Sequence, residues 1–115
     1  MTPSRAEIQE GFGAVMKLLR GLEHTDVTLP GGASLAAVQS ALDAVRDLSD
    51  RLERTAAYTL LARAHQYLQS AEIAAIQGCN GGWENRVWDA IMAVETAKDR
   101  WSGKHNTTTQ QHDTP

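Results

Sequence analysis

Apolar residues recur along this chain at spacings of three and four, in four separate stretches. In the first, Ile8, Phe12, Val15, Leu19 and Leu22 fall on one stripe, the mark of a helix that buries one face. The stripe predicts a helix from Ser4 to Leu22. Ser4 with Glu7 reads as a capping box, and Thr2 before Pro3 also suits a cap with proline in the first turn. Gly11, Gly13 and Gly21 each weaken such a helix by about 1 kcal/mol relative to alanine. Packing must therefore hold it, or Gly11 and Gly13 let another backbone come close.

The second stretch starts at Ser34, an N-cap residue directly after Gly31-Gly32. Leu35, Val38, Leu42, Val45, Leu48 and Leu52 form its stripe, and the other side carries Asp43, Arg46, Asp47, Asp50, Arg51 and Arg54. Asp47 with Arg51 and Asp50 with Arg54 are i,i+4 pairs on what reads as a solvated face. No glycine or proline interrupts 34–77, so one long helix is an alternative there. Ser49 to Thr55 is almost wholly polar, however, and the next stripe (Ala57, Leu61, Ala64, Leu68, Ala71, Ala75) is displaced by about one position. A turn near Glu53 to Thr55, with Thr55 capping a third helix over 56–77, is the favoured reading. Gly78 is well placed to end that helix.

Asn80 or the glycines after it open a last helix, from about Trp83 to Ser102. Its stripe is Val87, Ile91, Val94, Lys98 and Trp101, with Trp88 and Met92 on the flank. Val27-Thr28-Leu29 is the only strand-like fragment. Beyond Ser102 no large apolar residue occurs, which predicts a disordered polar tail over 103–115. The expected fold is all-α: a small antiparallel bundle of about four helices over residues 1–102, packed at shallow angles.

Composition narrows the setting. The chain has 115 residues and a net charge of −3, enough for one domain and without the basic excess that phosphate neutralisation requires. One cysteine, Cys79, excludes an intrachain disulfide. No apolar run approaches the roughly 18 residues that span a bilayer, and Met1 to Glu10 does not read as a signal peptide. A cytoplasmic location is expected. The packing faces are rich in alanine, which buries little area per residue, so shared burial in a homodimer is a physically motivated expectation.

Chemistry-bearing residues are sparse. His65 falls in the middle of the third helix, with Glu72 seven residues on, and reads as a boundary histidine rather than a general base. His24 with Asp26 falls in a link, and His105 and His112 in the tail. No H-x-x-x-H, C-x-x-C or E-x-x-H spacing occurs, so neither metal nor cofactor is expected. Gly31-Gly32 and Gly81-Gly82 precede helix starts but lack a phosphate-loop pattern, and loop flexibility explains them better. Gly78-Cys79-Asn80-Gly81-Gly82, followed by Trp83, is similar to a short stretch in papain-like cysteine proteases. In that family the cysteine of this stretch is a disulfide partner, and the segment that carries the nucleophile has no counterpart here. Shared turn chemistry accounts for the likeness. Near a helix start, the Cys79 thiol is at most a reactive group.

The tryptophans are the informative anomaly, since all three (Trp83, Trp88 and Trp101) fall in the last helix among six aromatic residues. Tryptophan and arginine dominate interface hot spots. The residues singled out for a protein-binding face are Trp83, Arg86, Trp88, Asp89 and Met92. The expected function is a non-enzymatic interaction module that docks on a protein partner or on itself, in the manner of small acidic phage or mobile-element inhibitors or adaptors. The alternative is a dimeric regulator contacting nucleic acid through Lys17, Arg20, Arg86, Lys98, Arg100 and Lys104.

Overall fold

A computed structural model describes residues 4–24 and 33–102. Four helices make up its architecture: α1 (Arg5–Glu23), α2 (Ala33–Arg51), α3 (Ala57–Gln77) and α4 (Asn80–Ser102). The Thr2–Pro3 cap, the Val27–Leu29 fragment, Gly31-Gly32, Asp26 and the tail with Lys104, His105 and His112 lie outside the described residues.

The all-α, antiparallel reading holds. Gly11 meets Leu48 between α1 and α2, Gln39 bonds Glu72 between α2 and α3, and Gly82 lies on Ala74 between α3 and α4. Phe12 touches Trp101 and Arg20 reaches Glu95, which closes the ring between α1 and α4. Each pairing runs the two helices in opposite directions. The buried stripes meet in one core built from Phe12, Leu19, Val38, Val45, Leu61, Leu68, Trp83 and Ile91 among others.

Local chemistry sets the helix ends. Ser4 Oγ accepts the Glu7 N–H at 3.1 Å while the Glu7 carboxylate accepts the Ser4 N–H at 3.1 Å, the reciprocal box expected at the start of α1. These bonds hold the Glu7 carboxyl below its ordinary pKa, the Ser4 backbone N–H contributing most. Helix α2 starts at Ala33, one residue before the Ser34 expected to precede it as cap. The break between α2 and α3 falls where polarity peaks. Thr55 Oγ1 donates to the Leu52 carbonyl at 2.8 Å and accepts the Ala57 N–H at 3.2 Å, so Thr55 serves the start of α3 from one residue outside its cap position, Ala56. Because α2 ends at Arg51, Arg54 is not one turn beyond Asp50 on a helix, and only the Asp47–Arg51 pair forms, at 3.2 Å.

Gly78 ends α3 in the left-handed region at φ 68°, where a Cβ is strained. The turn needs only Gly78 and Cys79, and the Cys79 carbonyl already accepts the Trp83 N–H at 3.0 Å. Helix α4 therefore starts at Asn80 rather than near Trp83. Gly81 and Gly82 are helical, not loop, residues. A Cβ at Gly82 would lie 3.4 Å from Ala74 Cβ and 3.3 Å from Cys79 Sγ, so Gly82 serves close packing of α3 on α4. Gly11 plays the same part on α1, where a Cβ would come within 2.9 Å of Leu48 Cδ1; Gly13 faces open space.

Candidate functional site

Helix α4 positions every residue singled out for binding, and its two faces separate them. Trp83 belongs to the inner face. It is fully buried, and its Nε1–H donates to the Leu22 carbonyl at 3.1 Å. That carbonyl is in the last turn of α1, where helical carbonyls lose their intrahelical partners. The binding role expected for Trp83 is thus corrected: it is a core residue that joins α4 to the end of α1. Trp101 is half-buried, its ring 5.5 Å from that of Phe12 and capped by the Arg5 guanidinium at 4.8 Å. Lys98 is also corrected. It is exposed, and Ala97 holds the inward position instead.

Trp88 and Met92 lie on the outer face, 53% and 46% exposed. They are one turn apart, which makes them neighbours on the helix surface. Arg86 and Asp89 form an ion pair at 3.1 Å on the flank of α4, with Arg86 turned well away from Trp88. On the side toward α1, Arg20 holds Glu95 at 3.3 Å and Glu23 at 3.2 Å. The structure therefore brings four of the five expected residues (Arg86, Trp88, Asp89 and Met92) onto the accessible part of α4.

A second exposed apolar pair had not been singled out. Ile73 and Ile76 on α3 are 55% and 69% exposed. The signal was present in the run Ile73-Ala74-Ala75-Ile76, since a helix cannot turn four consecutive residues toward one core. Glu72, one turn before Ile76, bonds Gln39 of α2. This pair consequently follows the α2–α3 seam, whereas Trp88 lies two turns before Glu95 on the α1–α4 seam. In a four-helix ring those seams are on opposite sides.

His65 is half-buried on the α2–α3 side, between two open hollows of about 320 and 200 Å³. Arg46 lines both hollows, with Asp50, Tyr58 and Ser49 in the larger and Asp43, Gln39 and Glu72 in the smaller. Burial pushes the imidazole pKa below 6.5 and Arg46 adds to this, while Asp43 opposes it. Cys79 is exposed beyond the end of α3, roughly 20 Å from His65 by helical rise. Among the described residues no group of three or more His, Cys, Asp or Glu is placed to hold a metal ion.

A further groove of about 560 Å³ runs between α1 and α2, lined by Ala14, Lys17, Leu18, Gly21, Leu22 and Ala37. Lys17 is therefore turned away from the cations of α4. Arg20 and Arg86 are engaged with carboxylates, and Lys98 and Arg100 fall on opposite flanks of α4. The cations named for nucleic acid do not converge among the described residues. No described helix is long and apolar enough to cross a membrane.

No family model matches this chain, and neither the curated proteins nor the solved structures contain a match to it.

Proposed function

We propose that this chain is a non-enzymatic helical interaction module whose docking surface is the outer face of α4. The observation that carries this reading is Trp88, exposed over half its surface beside an exposed Met92. The other two tryptophans are engaged by Leu22, Phe12 and Arg5. A tryptophan left in water forgoes a large burial gain that the core offers its neighbours. Placed next to a methionine on an accessible helix face, it has the composition of an interface anchor. The scatter of His65 and Cys79, on separate parts of the fold, supports a role in binding rather than in nucleophilic catalysis, which needs base and nucleophile within hydrogen-bond reach.

The narrower reading, an inhibitor or adaptor acting on a host protein, uses the same surface. Affinity capture from the source cells with the wild-type chain and with Trp88→Ala tests both. Wild type should retain a protein that Trp88→Ala loses while circular dichroism stays unchanged. Identical capture by the two chains overturns the reading.

A further inference from the structure

We infer that the outer face of α4 receives a basic amphipathic helix of another protein, apolar along its centre and rimmed by lysine or arginine, rather than a second copy of this chain. The inference rests on the docking role proposed for that face and adds the chemistry of the occupant.

Asn85, Trp88, Met92, Glu95 and Asp99 follow one another at spacings of three, four, three and four. They make a second stripe on α4, on the side away from the core stripe. Such a stripe matches another helix laid at a shallow angle. Its middle is apolar and one end acidic. Successive helical residues turn about 100°. Within roughly 80° of the line through Trp88 and Met92, the charged residues of α4 are Glu84, Asp89, Glu95 and Asp99, all acidic; Arg86, Lys98 and Arg100 stand roughly 100° or more away. Asp89 and Glu95 have arginine partners, Arg86 and Arg20. Both pairs are solvent-exposed and so weakly held. Glu84 and Asp99 take part in no ion pair among the described residues.

An apolar pair ringed by carboxylates selects its occupant by charge. A basic rim on the partner steers the encounter and meets Glu84 and Asp99 as Trp88 and Met92 lose their water. A second copy fares worse. A twofold contact is isologous and sets the same patch against itself, so two acidic rims would face each other across the joined tryptophans. Self-association through α4 is therefore disfavoured, whatever the alanine-rich core suggests about dimers.

The test titrates the full chain with two dye-labelled synthetic helices of about three heptads, one of leucine and lysine and one with every lysine replaced by glutamate. Anisotropy should report binding of the lysine peptide, weakened by added salt, and binding of the glutamate peptide at least about tenfold weaker. Trp88→Ala and Met92→Ala, each checked for unchanged helicity, should each weaken the lysine peptide by about fivefold or more. The double variant Glu84→Gln/Asp99→Asn should weaken it by about threefold to fivefold and flatten the salt dependence. Equal binding of the two peptides, or an unaltered double variant, overturns the charge preference while a loss in Trp88→Ala still upholds docking on α4. Lysine-peptide binding that ignores both Trp88→Ala and Met92→Ala places the site elsewhere and removes the docking reading too. Failure of both peptides overturns the inference, and so does a wild-type dimer in sedimentation that Trp88→Ala dissociates.

Discussion

Trp83 and Trp88 stand five residues apart on one helix and are put to opposite uses. The first is fully buried and spends its one polar atom on the Leu22 carbonyl; the second is half in water. Along the inner face of α4, each large residue is matched by something across the seam. Trp101 has Phe12 and Arg5, while Ala90, Ala93 and Ala97 leave room for close approach. Along the outer face, Trp88 and Met92 have no such cover. Residue type alone therefore does not separate stability from recognition in this helix. Position on the turn does.

The sharpest way to break this contrast is to truncate the inner tryptophan. Trp83→Ala opens a ring-sized cavity and removes the indole N–H from the Leu22 carbonyl, a loss of about 3–5 kcal/mol in urea-unfolding stability. Small domains have only about 5–15 kcal/mol in total, so this variant should be close to unfolding at 37 °C. Trp83→Phe keeps most of the volume but not the N–H, and should lose about 1–3 kcal/mol. If Trp83→Ala were as stable as wild type, its burial would not be what fixes α4 to the end of α1.

The four helices were legible because leucine, valine and isoleucine carry a strong periodic signal, and because the α2–α3 turn coincides with the polar stretch around Thr55. The allocation of α4's residues between its faces was not. Lys98 lies only about 20° around the helix from Val87, so spacing alone places it with the core stripe, and alanine's single methyl gives too little hydrophobic contrast to mark Ala97 as the inward residue. Trp83 was obscured for a different reason. The glycines before it suggested a loop, yet Gly82 is helical and packs so close to α3 that an added Cβ would stand 3.4 Å from Ala74 Cβ and 3.3 Å from Cys79 Sγ. That close approach is tertiary information. Of the candidate surface, Arg86, Trp88, Asp89 and Met92 were readable from composition and spacing, whereas the acidic rim needed the helix phase that burial fixes.

The same inner–outer contrast on α1 can be sharpened with two glycines. Gly13 faces open space, so Gly13→Ala should raise stability by about 0.5–1 kcal/mol through helix propensity alone. Gly11→Ala places its methyl 2.9 Å from Leu48 Cδ1, and Leu48 is buried. The same propensity gain is then offset by overpacking. Gly11→Ala should be no more stable than wild type in the same urea titration, and equal gains at both sites would deny that α2 closes on Gly11. Trp88→Ala follows in size. With the ring already half exposed, unfolding stability should move by no more than about 0.5 kcal/mol, and a loss like that of Trp83→Ala would make the outer face part of the fold.

His65 tests the boundary between the two kinds of face, and its effect is the smallest. Its folded pKa lies below 6.5, first because burial disfavours the imidazolium and then because Arg46 repels it. Between that lowered value and 6.5 the unfolded chain binds more protons at this site than the folded one. Stability from His65 is therefore complete above about pH 6.5 and declines as acid carries the pH down to the folded value, below which the loss stops growing. His65→Gln should flatten that part of the stability curve between about pH 7.5 and 5. NMR titration of the imidazole should follow the charges on α2: Arg46→Gln raises the pKa toward 6.5, and Asp43→Asn lowers it further. A wild-type value at or above 6.5 would mean that water reaches the ring as freely as it reaches Trp88, placing position 65 on the outer face with it.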